Sequence, residues 1–521
     1  MEAIKKCANP NCAGFKPLIA VHAGAGTFSH DRRREREQRQ CVGSAAAAGL
    51  SVLAADGGSV ECAVAAAVES MERSGVANAG AVPALRLLAF AADAVRHANA
   101  GFGSNLTSDA RVECDASLMH GTRGSFVGVG AVSGIASPIG AALTLLSASA
   151  SAPGFAPPLG RVSPLLLVGN GARDAAVVRD PSLAVHPDAQ ICDRAINQWT
   201  RIAEMVKDLA SQQTSSTASD IRNTGDSDET PDLHELDHDT VGAVALDCCG
   251  NIASAVSSGG VLFKYPGRVG EAAMFACGVW AQSLSSSGDH HHACRVRNAD
   301  SDSSQFSVRV GVGCSLSGTG EQIMRTQLAL EVAKALLQTS SQSHPQEARN
   351  ASLVQSPQHC TSDTLNVESA LSFVLTNSFL DSSLLQIYDD GPKNAGVVCI
   401  RVSVAETGDD CDTDSDNDIL SNPTETTPST CKITSRREVW YAHTTDAMCV
   451  GWMSAGDAQP TTRLSRKTAS RQAPMQGPSR SMSPSKKRKR WWAHTAPGST
   501  PSGSAVSDSG PRVRVVGEQL C

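Results

Sequence analysis

The most constraining feature of this chain is an abrupt change of composition at residue 240. Residues 212–238 are rich in Ser, Thr and Asp and show no hydrophobic periodicity, which predicts a linker that cannot bury enough apolar surface to fold. Two apolar runs follow, at residues 241–246 and 252–258, with a Gly-Asn pair between them. Such a pattern is typical of a β-hairpin. Thr240 therefore stands where a polar linker enters a core strand.

The dipeptide Asp239-Thr240 occupies this junction. If the bond between the two residues breaks, Thr240 becomes an N-terminus with a hydroxyl nucleophile and its own α-amine as the base. An α-amine has an ordinary pKa of about 7.7–8.0, close to a neutral working pH. The second hairpin strand would return the hydroxyl of Ser258 to the neighbourhood of Thr240. The alternative is that Thr240 is an ordinary residue at the start of a strand.

Two later segments add groups that bind negative charge. Arg268 lies in the glycine-bounded loop Pro-Gly-Arg-Val-Gly, where its permanently charged fork could anchor a carboxylate or form a surface ion pair. Ser317 and Gly318 precede a helix that is predicted at residues 322–337. Hydroxyl and backbone N–H groups at a helix start are suited to stabilising an oxyanion.

Six stretches of the sequence carry motifs that belong together. They are LIAVHAGAG (18–26), NAGFGSNL (99–106), VECDASLM (112–119), the hairpin and loop region (239–278), the segment before and into the predicted helix (315–328), and AHTTDAMCVGWMSA (442–455). In this order they resemble the type-2 asparaginases, which are N-terminal-nucleophile hydrolases. The last stretch resembles the threonine aspartase (taspase) branch of that family.

This resemblance implies a fold and a set of roles. The family fold is a four-layer αββα sandwich of the α/β class, with Thr240 at the start of a central strand. By this resemblance Thr240 is the nucleophile and Ser258 positions its amine. Ser317 and the N–H of Gly318 would stabilise the oxyanion, and Arg268 would anchor the substrate carboxylate. No cofactor and no metal are expected.

Two further positions bear on substrate binding. The motif Asn-Ala-Gly occurs twice, at Asn78 and at Asn99, and the family attributes an active-site role to one such Asn. Because the residues after Asn99 continue the family pattern, Asn99 is the better match. Residues 81–98 are then either a real insertion or an error in the gene model. Glu271 stands where asparaginases carry the Asp that binds the free amine of their substrate. Glu271 is acidic but longer, so it bears on which substrate is used.

The resemblance predicts a threonine-type endopeptidase that is activated by autoproteolysis and cleaves protein substrates after aspartate. The nearer alternative is an asparaginase or isoaspartyl peptidase, which is favoured if Glu271 binds a free amine. An alternative from another class is an uncleaved, catalytically inactive nuclear binding protein in which Thr240 never becomes terminal. The expected partners are protein substrates with Asp at the cleaved position. The two fragments are expected to form a heterodimer, which could dimerise in turn.

Cleavage would divide the chain into two subunits and a tail. The predicted parts are an α subunit (1–239, with the linker 212–238 at its end), a β subunit (240–456) and a disordered basic Ser/Pro tail (457–521). Low-complexity insertions are predicted at residues 283–307, 338–365 and 406–430. Periodicity predicts strands at residues 18–25 and 165–169, and helices at residues 31–55 and 59–73.

Composition narrows the class of protein. The net charge of −7 gives no global basic field for direct binding of nucleic acid. Residues 1–17 carry charges and lack the apolar segment of a secretory signal, and no uninterrupted apolar run reaches the roughly 18 residues of a membrane span. The 17 cysteines show no C-x-x-C framework, which predicts the reduced thiols of the cytoplasm or nucleus.

A run of five cations, Lys486–Arg490, lies in the Ser/Pro-rich tail and predicts a signal for a nuclear import receptor. We expect replacement of all five by Ala to move a fluorescent fusion from the nucleus to the cytoplasm. The control replaces Arg32, Arg33, Arg34 and Arg36, a basic face on a predicted helix, and should stay nuclear. A tail variant that remains nuclear would show that another element directs import.

Overall fold

The computed structural model describes residues 14–56, 58–73, 98–149, 162–215, 240–284, 294–296, 306–339, 366–388, 391–407, 432–467 and 512–520. In these residues two β-sheets stack face to face, and helices cover the outer face of each sheet. The arrangement is the four-layer αββα sandwich that the resemblance predicts. Because each sheet is buried on both faces, its central strands are apolar on both sides.

The first sheet contains eight strands in the order β13-β12-β1-β5-β6-β2-β3-β4. They are β1 (Leu18–Gly26), β2 (Cys114–His120), β3 (Ser125–Val132), β4 (Leu166–Val168), β5 (Val241–Leu246), β6 (Ile252–Ser258), β12 (Ala447–Ser454) and β13 (Thr461–Arg466). All neighbours are antiparallel except β3 and β4. Thr240 directly precedes β5, so it enters the middle of this sheet.

The second sheet is antiparallel and follows the order β14-β11-β10-β9-β7, with β8 also pairing with β9. Its strands are β7 (Val279–Gln282), β8 (Cys294–Val296), β9 (Phe306–Gly318), β10 (Ala395–Thr407), β11 (Lys432–His443) and β14 (Arg514–Leu520). The C-terminal end of β9 brings Gly318 toward the start of β5.

Helices α1 to α4 pack on the first sheet, and α7 packs on the second. The α-helices are α1 (Arg32–Ala54), α2 (Val60–Glu72), α3 (Pro138–Ser149), α4 (Gly169–Val177), α5 (Asp193–Ser215), α6 (Gly320–Thr326), α7 (Leu328–Leu337) and α8 (Val367–Phe373). A π-helical segment, Val374–Leu380, continues α8. Short 3₁₀ helices lie at Gly101–Gly103, Pro181–Leu183, Pro187–Gln190, Glu271–Ala273 and Ser383–Tyr388.

Three apolar clusters fill the spaces between the four layers. Strand β10 shows how one strand serves two of them. Its Val398 and Ile400 face the first sheet, whereas Val397 and Cys399 face the outer helices. This alternation follows from the period of two of an extended chain, and it explains why such strands read as continuous apolar runs.

Local signals predict several boundaries well. Asp31 and Ser59 cap α1 and α2, and their side chains accept hydrogen bonds from the backbone N–H groups of Arg33 and Cys62. The predicted helices at 31–55 and 59–73 are therefore confirmed, with their first residues acting as N-caps. The helix predicted at 322–337 is instead two helices, because Gln327 adopts a left-handed conformation with φ of 47°.

Three predicted boundaries need correction. Helix α5 continues to Ser215, so the linker predicted from residue 212 begins later. The tail predicted from residue 457 contains β13 and β14, which extend one edge of each sheet. Gly517 of β14 packs on the ring of Trp440, where a Cβ would lie 2.2 Å from the ring atoms. Edge strands gain their order from backbone pairing with a distant neighbour, which composition does not reveal.

Two of the predicted insertions also contain residues of the second sheet. Strand β8 lies inside the insertion predicted at 283–307, and β10 extends to Thr407, inside the one predicted at 406–430. Asp239, Asn78, the run 486–490 and all of the predicted insertion 81–98 except Ala98 lie outside the described residues. Within the described ranges no helix is long and apolar enough to cross a membrane.

Glu72, at the end of α2, joins α2 to α3 through a buried carboxylate. The hydroxyl of Ser137 and the N–H of Ile139 donate to it at 2.7 and 3.0 Å. Burial raises the pKa of Glu72 from 4.5 to about 7, although both hydrogen bonds oppose this shift. Between these values the folded state binds more protons at Glu72 than the unfolded state, so the free energy of unfolding falls as pH rises.

We therefore expect Glu72→Gln to stabilise the protein at pH 8, by up to the order of 3 kcal/mol, and to leave stability unchanged near pH 4.5. Urea unfolding at both pH values measures the difference. Glu69→Gln, which changes a partly exposed glutamate of the same helix, is the control and should show little pH-dependent difference from wild type. A Glu72→Gln variant that is less stable than wild type at pH 8 would contradict this account.

Candidate active site

The hydroxyl of Thr240 is held in a buried position by the β5–β6 hairpin. Val241 pairs with Ser257 across this hairpin, so Thr240 and Ser258 lie side by side at its open end. Their Oγ atoms are 3.0 Å apart, and the residues are only 4% and 3% exposed. The Ser258 hydroxyl also accepts a hydrogen bond from the N–H of Gly260 at 3.0 Å. The predicted nucleophile and its predicted neighbour are thus in contact.

Asn99 fixes the backbone that follows Ser258. Its amide nitrogen donates to the carbonyl of Gly260 at 2.8 Å, and its amide oxygen accepts from the N–H of Asn105 at 2.8 Å. The N–H of Gly259 donates to the Asn99 carbonyl at 2.7 Å. A Cβ at Gly259 would lie 2.3 Å from the Asn99 side chain, so this close approach requires glycine. Asn99 lines the cleft, but both ends of its side chain bind protein backbone.

Arg268 lies in a cage of glycines. A Cβ on Gly260 or Gly270 would come within 2.8 or 2.6 Å of Nη1, and one on Gly320 within 2.9 Å of Nη2. The side chain is 13% exposed. Glu321 accepts a hydrogen bond from Nε at 2.8 Å and lies 2.7 Å from Nη2. Nη1 is buried without a hydrogen-bond partner in the described residues, which leaves it to bind a ligand carboxylate.

Two carboxylates hold the loop that carries Arg268: Glu113, just before β2, and Asp115, within β2. Glu113 accepts a hydrogen bond from the N–H of Gly267 at 2.7 Å, and Asp115 accepts one from Gly270 at 2.8 Å. Asp115 also accepts from Ala131 at 2.8 Å and is fully buried. Burial raises the pKa of Asp115, and its backbone hydrogen bonds lower it. The loop is therefore fixed on both sides of Arg268.

Glu271 places a carboxylate next to the Thr240 hydroxyl. Its Oε1 accepts a hydrogen bond from the Thr240 hydroxyl at 3.5 Å, and the residue is 3% exposed. A Cβ on Gly320 would lie 2.2 Å from Oε2, so glycine at that position makes room for the carboxylate. Burial raises the pKa of Glu271 from 4.5 to about 7, against the opposing charge of Arg268.

Gly318 and Ser317 end strand β9 at the same cleft. Gly318 has a φ of 141°, and a Cβ there would lie 2.3 Å from the carbonyl oxygen of Asn394, so this backbone favours glycine. Gly318 lines the cleft, whereas Ser317 does not. The Ser317 hydroxyl instead accepts a hydrogen bond from the N–H of Ala25 at 3.1 Å. Of the two residues predicted to stabilise an oxyanion, Gly318 therefore lines the cleft beside Thr240, whereas the Ser317 hydroxyl contacts strand β1.

His22 lies in the sheet beneath the nucleophile. Its Nε2 is 2.9 Å from the hydroxyl of Ser315, which donates to the carbonyl of Ala255 at 3.1 Å. Burial lowers the pKa of His22 to about 3, against an interaction with the backbone of Thr240, so the imidazole is neutral. Gly242 leaves room for this pair, because a Cβ there would lie 2.0 Å from the Ser315 hydroxyl.

Together these groups form one small cleft. It is lined by Asn99, Thr240, Ser258, Gly260, Val261, Arg268, Glu271, Gly318 and Gly320. The cleft thus combines the Thr240 hydroxyl, an arginine N–H that is unpaired within the described part of the chain, and a carboxylate. A substrate that carries both a carboxylate and an amine beside a scissile carbonyl matches this set of groups. The described residues contain no group of three or more ionisable ligands placed for a metal ion.

Residue types alone did not assign roles to Glu321, Asp115 or His22. Each nevertheless stands inside a stretch that carries the family resemblance. A histidine or an aspartate within an otherwise apolar core strand is itself a signal, because a buried polar group needs partners. Glu321 gives no comparable signal, since its pairing with Arg268 joins segments that are 53 residues apart.

The sequence profile of the family described as asparaginase (Asparaginase_2) matches residues 91–289. A plant-type L-asparaginase of Pyrobaculum calidifontis is 27% identical over 62% of this chain and 80% of its own. An isoaspartyl peptidase/L-asparaginase of Bos taurus is 29% identical over 65% and 82%. The Homo sapiens isoaspartyl peptidase/L-asparaginase is 30% identical over 52% and 68%. The chain therefore belongs to the asparaginase family of N-terminal-nucleophile hydrolases.

Proposed function

We propose that this protein cleaves itself before Thr240 and then hydrolyses L-asparagine and β-aspartyl dipeptides. The observation that carries the proposal is the pair of opposite charges beside the nucleophile. Arg268 offers a buried N–H that has no partner among the described residues, and Glu271 offers a buried carboxylate in contact with the Thr240 hydroxyl. Both lie in the same small cleft.

The charge pair fits the free α-carboxylate and α-amine that L-asparagine and β-aspartyl dipeptides share. Arg268 would bind the carboxylate through its planar fork, and Glu271, when ionised, would bind the amine. The scissile side-chain carbonyl then points toward Thr240. The relatives described as asparaginases and isoaspartyl peptidases support the same substrate class.

After self-cleavage the new α-amine of Thr240 would accept the proton of its own hydroxyl. Ser258 lies 3.0 Å from that hydroxyl and would keep the nucleophile oriented. The N–H of Gly318 would stabilise the oxyanion that forms at the attacked carbonyl. Loss of one such donor typically lowers kcat by roughly 10²–10³.

A second candidate is cleavage of protein substrates after aspartate. Two observations favour it: the resemblance of residues 442–455 to the taspase branch, and a wide cavity beside the cleft. This cavity, of about 630 Å³, is lined by Thr319, which lies between the cleft residues Gly318 and Gly320, and by Lys393 and Lys467. It offers room for the polypeptide on one side of an Asp whose carboxylate binds Arg268.

Self-cleavage can be tested on the purified protein. Purified wild-type protein should consist of residues 1–239 and 240–521, and N-terminal sequencing of the second fragment should read Thr-Val-Gly-Ala-Val. Thr240→Ala removes the nucleophile and should remain intact and inactive, whereas Thr240→Ser keeps a hydroxyl and should still cleave. A wild-type chain that stays intact yet hydrolyses substrate would contradict self-cleavage. An intact and inactive chain would favour the nuclear binding protein.

A comparison of three substrates on the cleaved enzyme separates the two hydrolase functions. Cleaved enzyme should hydrolyse L-asparagine and a β-aspartyl dipeptide faster than an internal peptide bond after Asp. N-acetyl-L-asparagine is the matched control, because it keeps the carboxylate and amide but lacks the charged amine. The kcat/KM for N-acetyl-L-asparagine should be lower by about tenfold or more, because Glu271 then loses a partner worth about 1–3 kcal/mol. Turnover of the Asp-containing peptide alone would establish the endopeptidase instead.

A further inference from the structure

We propose that Glu271 is the general base that activates Thr240 during self-cleavage of the precursor. The inference rests on the proposed self-cleavage but concerns a different step from substrate hydrolysis. It assigns a catalytic role to a side chain that would otherwise serve only to bind the amine of a substrate.

The precursor needs a base that the mature enzyme does not. In the intact chain the nitrogen of Thr240 belongs to the peptide bond with Asp239, and an amide nitrogen is not basic. The α-amine that would activate Thr240 in the mature enzyme is therefore absent until the bond has broken. Another group must accept the hydroxyl proton, because a threonine hydroxyl is a weak nucleophile at its ordinary pKa.

Glu271 is the side chain in position to do this. The Thr240 hydroxyl donates to Oε1 of Glu271 at 3.5 Å, and both residues are nearly fully buried. The other neighbour is the Ser258 hydroxyl at 3.0 Å, which already accepts from the N–H of Gly260 and is not a base near neutral pH. Among the described residues no other ionisable side chain hydrogen-bonds to the Thr240 hydroxyl.

The charged groups around Glu271 keep it able to exchange a proton near neutral pH. Arg268 on its own loop favours the ionised form, whereas Asp115 on β2 and Glu321 on α6 disfavour it. Burial outweighs Arg268 and raises the pKa to about 7. Cys277, which follows the same 3₁₀ helix, has its pKa raised to about 11 and stays neutral. Strand β6 contributes the Ser258 hydroxyl, and β3 contributes no ionisable side chain.

In the proposed step Glu271 carries a proton from the hydroxyl of Thr240 to its nitrogen. Ionised Glu271 takes the hydroxyl proton of Thr240 as Oγ attacks the carbonyl carbon of Asp239. The C–N bond then breaks, the nitrogen takes the proton back from Glu271, and an ester joins Asp239 to Thr240. Water hydrolyses this ester, which leaves a carboxylic acid on Asp239 and a free hydroxyl and amine on Thr240. Glu271 returns to its starting state.

The test follows the full chain as it is made. Labelled precursor is produced by brief cell-free translation, and translation is then stopped by dilution into buffers from pH 5 to 9. Loss of the 521-residue chain gives the rate of self-cleavage. The variants are Glu271→Gln, Glu271→Asp and Glu271→Ala. Glu72→Gln is the matched control, because it removes another buried carboxylate whose pKa is about 7 but which does not contact Thr240.

We expect the wild-type rate to rise with pH and level off above about 7, and Glu72→Gln to follow it. Glu271→Gln should be about 10²-fold slower or more and should lose the inflection near pH 7. Glu271→Asp, whose carboxylate is one methylene shorter, should be intermediate. Formate should accelerate Glu271→Ala in proportion to its concentration, because it can replace the missing carboxylate.

Several outcomes would overturn the assignment. A Glu271→Gln rate within about threefold of wild type, or a slow variant that keeps the pH inflection, would show that another group is the base. Failure of formate to accelerate Glu271→Ala would reduce Glu271 to a structural role. These results would leave the proposed function standing, since the wild-type chain would still cleave. A wild-type chain that never cleaves would instead remove the proposed self-cleavage itself.

Discussion

The site depends on the pairing of β5 between β1 and β6 in the middle of the first sheet. This pairing buries the side chains on both faces of β5. It also fixes the position of Thr240, which directly precedes the strand. The register of the hairpin sets Ser258 beside Thr240, because a shift of one residue would turn every side chain to the opposite face. The small residues of these strands matter as much as the polar ones. Gly242 admits His22 and Ser315, and the second sheet can therefore approach closely enough to bring Gly318 to the cleft.

Three carboxylates and a second cation surround Arg268. Glu321 contacts the guanidinium directly, and Glu271 and Asp115 lie close enough to affect its pKa. Burial alone would lower the pKa of Arg268, but these carboxylates raise it. Asp115 is also stabilised in its ionised form by the buried Lys264 and by two backbone hydrogen bonds. Burial raises the pKa of Glu271 to about 7, so this carboxylate, which contacts the Thr240 hydroxyl, is only partly ionised near neutral pH.

Much of the fold could be predicted because its signals are local. Asp31 and Ser59 mark helix starts through their side chains, and the two apolar runs around a Gly-Asn pair predict the β5–β6 hairpin. What could not be predicted depends on distant partners. Strand β14 is ordered by β11 and by the fit of Gly517 to Trp440, and Gln327 bends a helical sequence that has no Gly or Pro.

The candidate site likewise contains residues that the sequence could predict and contacts that it could not. Thr240, Ser258, Arg268, Glu271 and Gly318 stand in motifs and meet in one cleft, whereas the hydroxyl of Ser317 is taken up by Ala25. The sequence shows which residue types are present but not which hydrogen bonds they make. For the same reason it leaves the role of Asn99 open until both ends of its side chain are seen to hold backbone.

The two roles that we propose for Glu271 belong to different states of the chain. In the precursor its carboxylate contacts the Thr240 hydroxyl and would accept the proton of that hydroxyl. A pKa of about 7 suits such proton transfer near neutral pH. After self-cleavage the α-amine of Thr240 would be the base, and Glu271 would then pair with the amine of a substrate. One buried carboxylate would thus act as a base in the precursor and as a charge in the mature enzyme, which would account for an acidic residue at a position where burial of its charge is energetically costly.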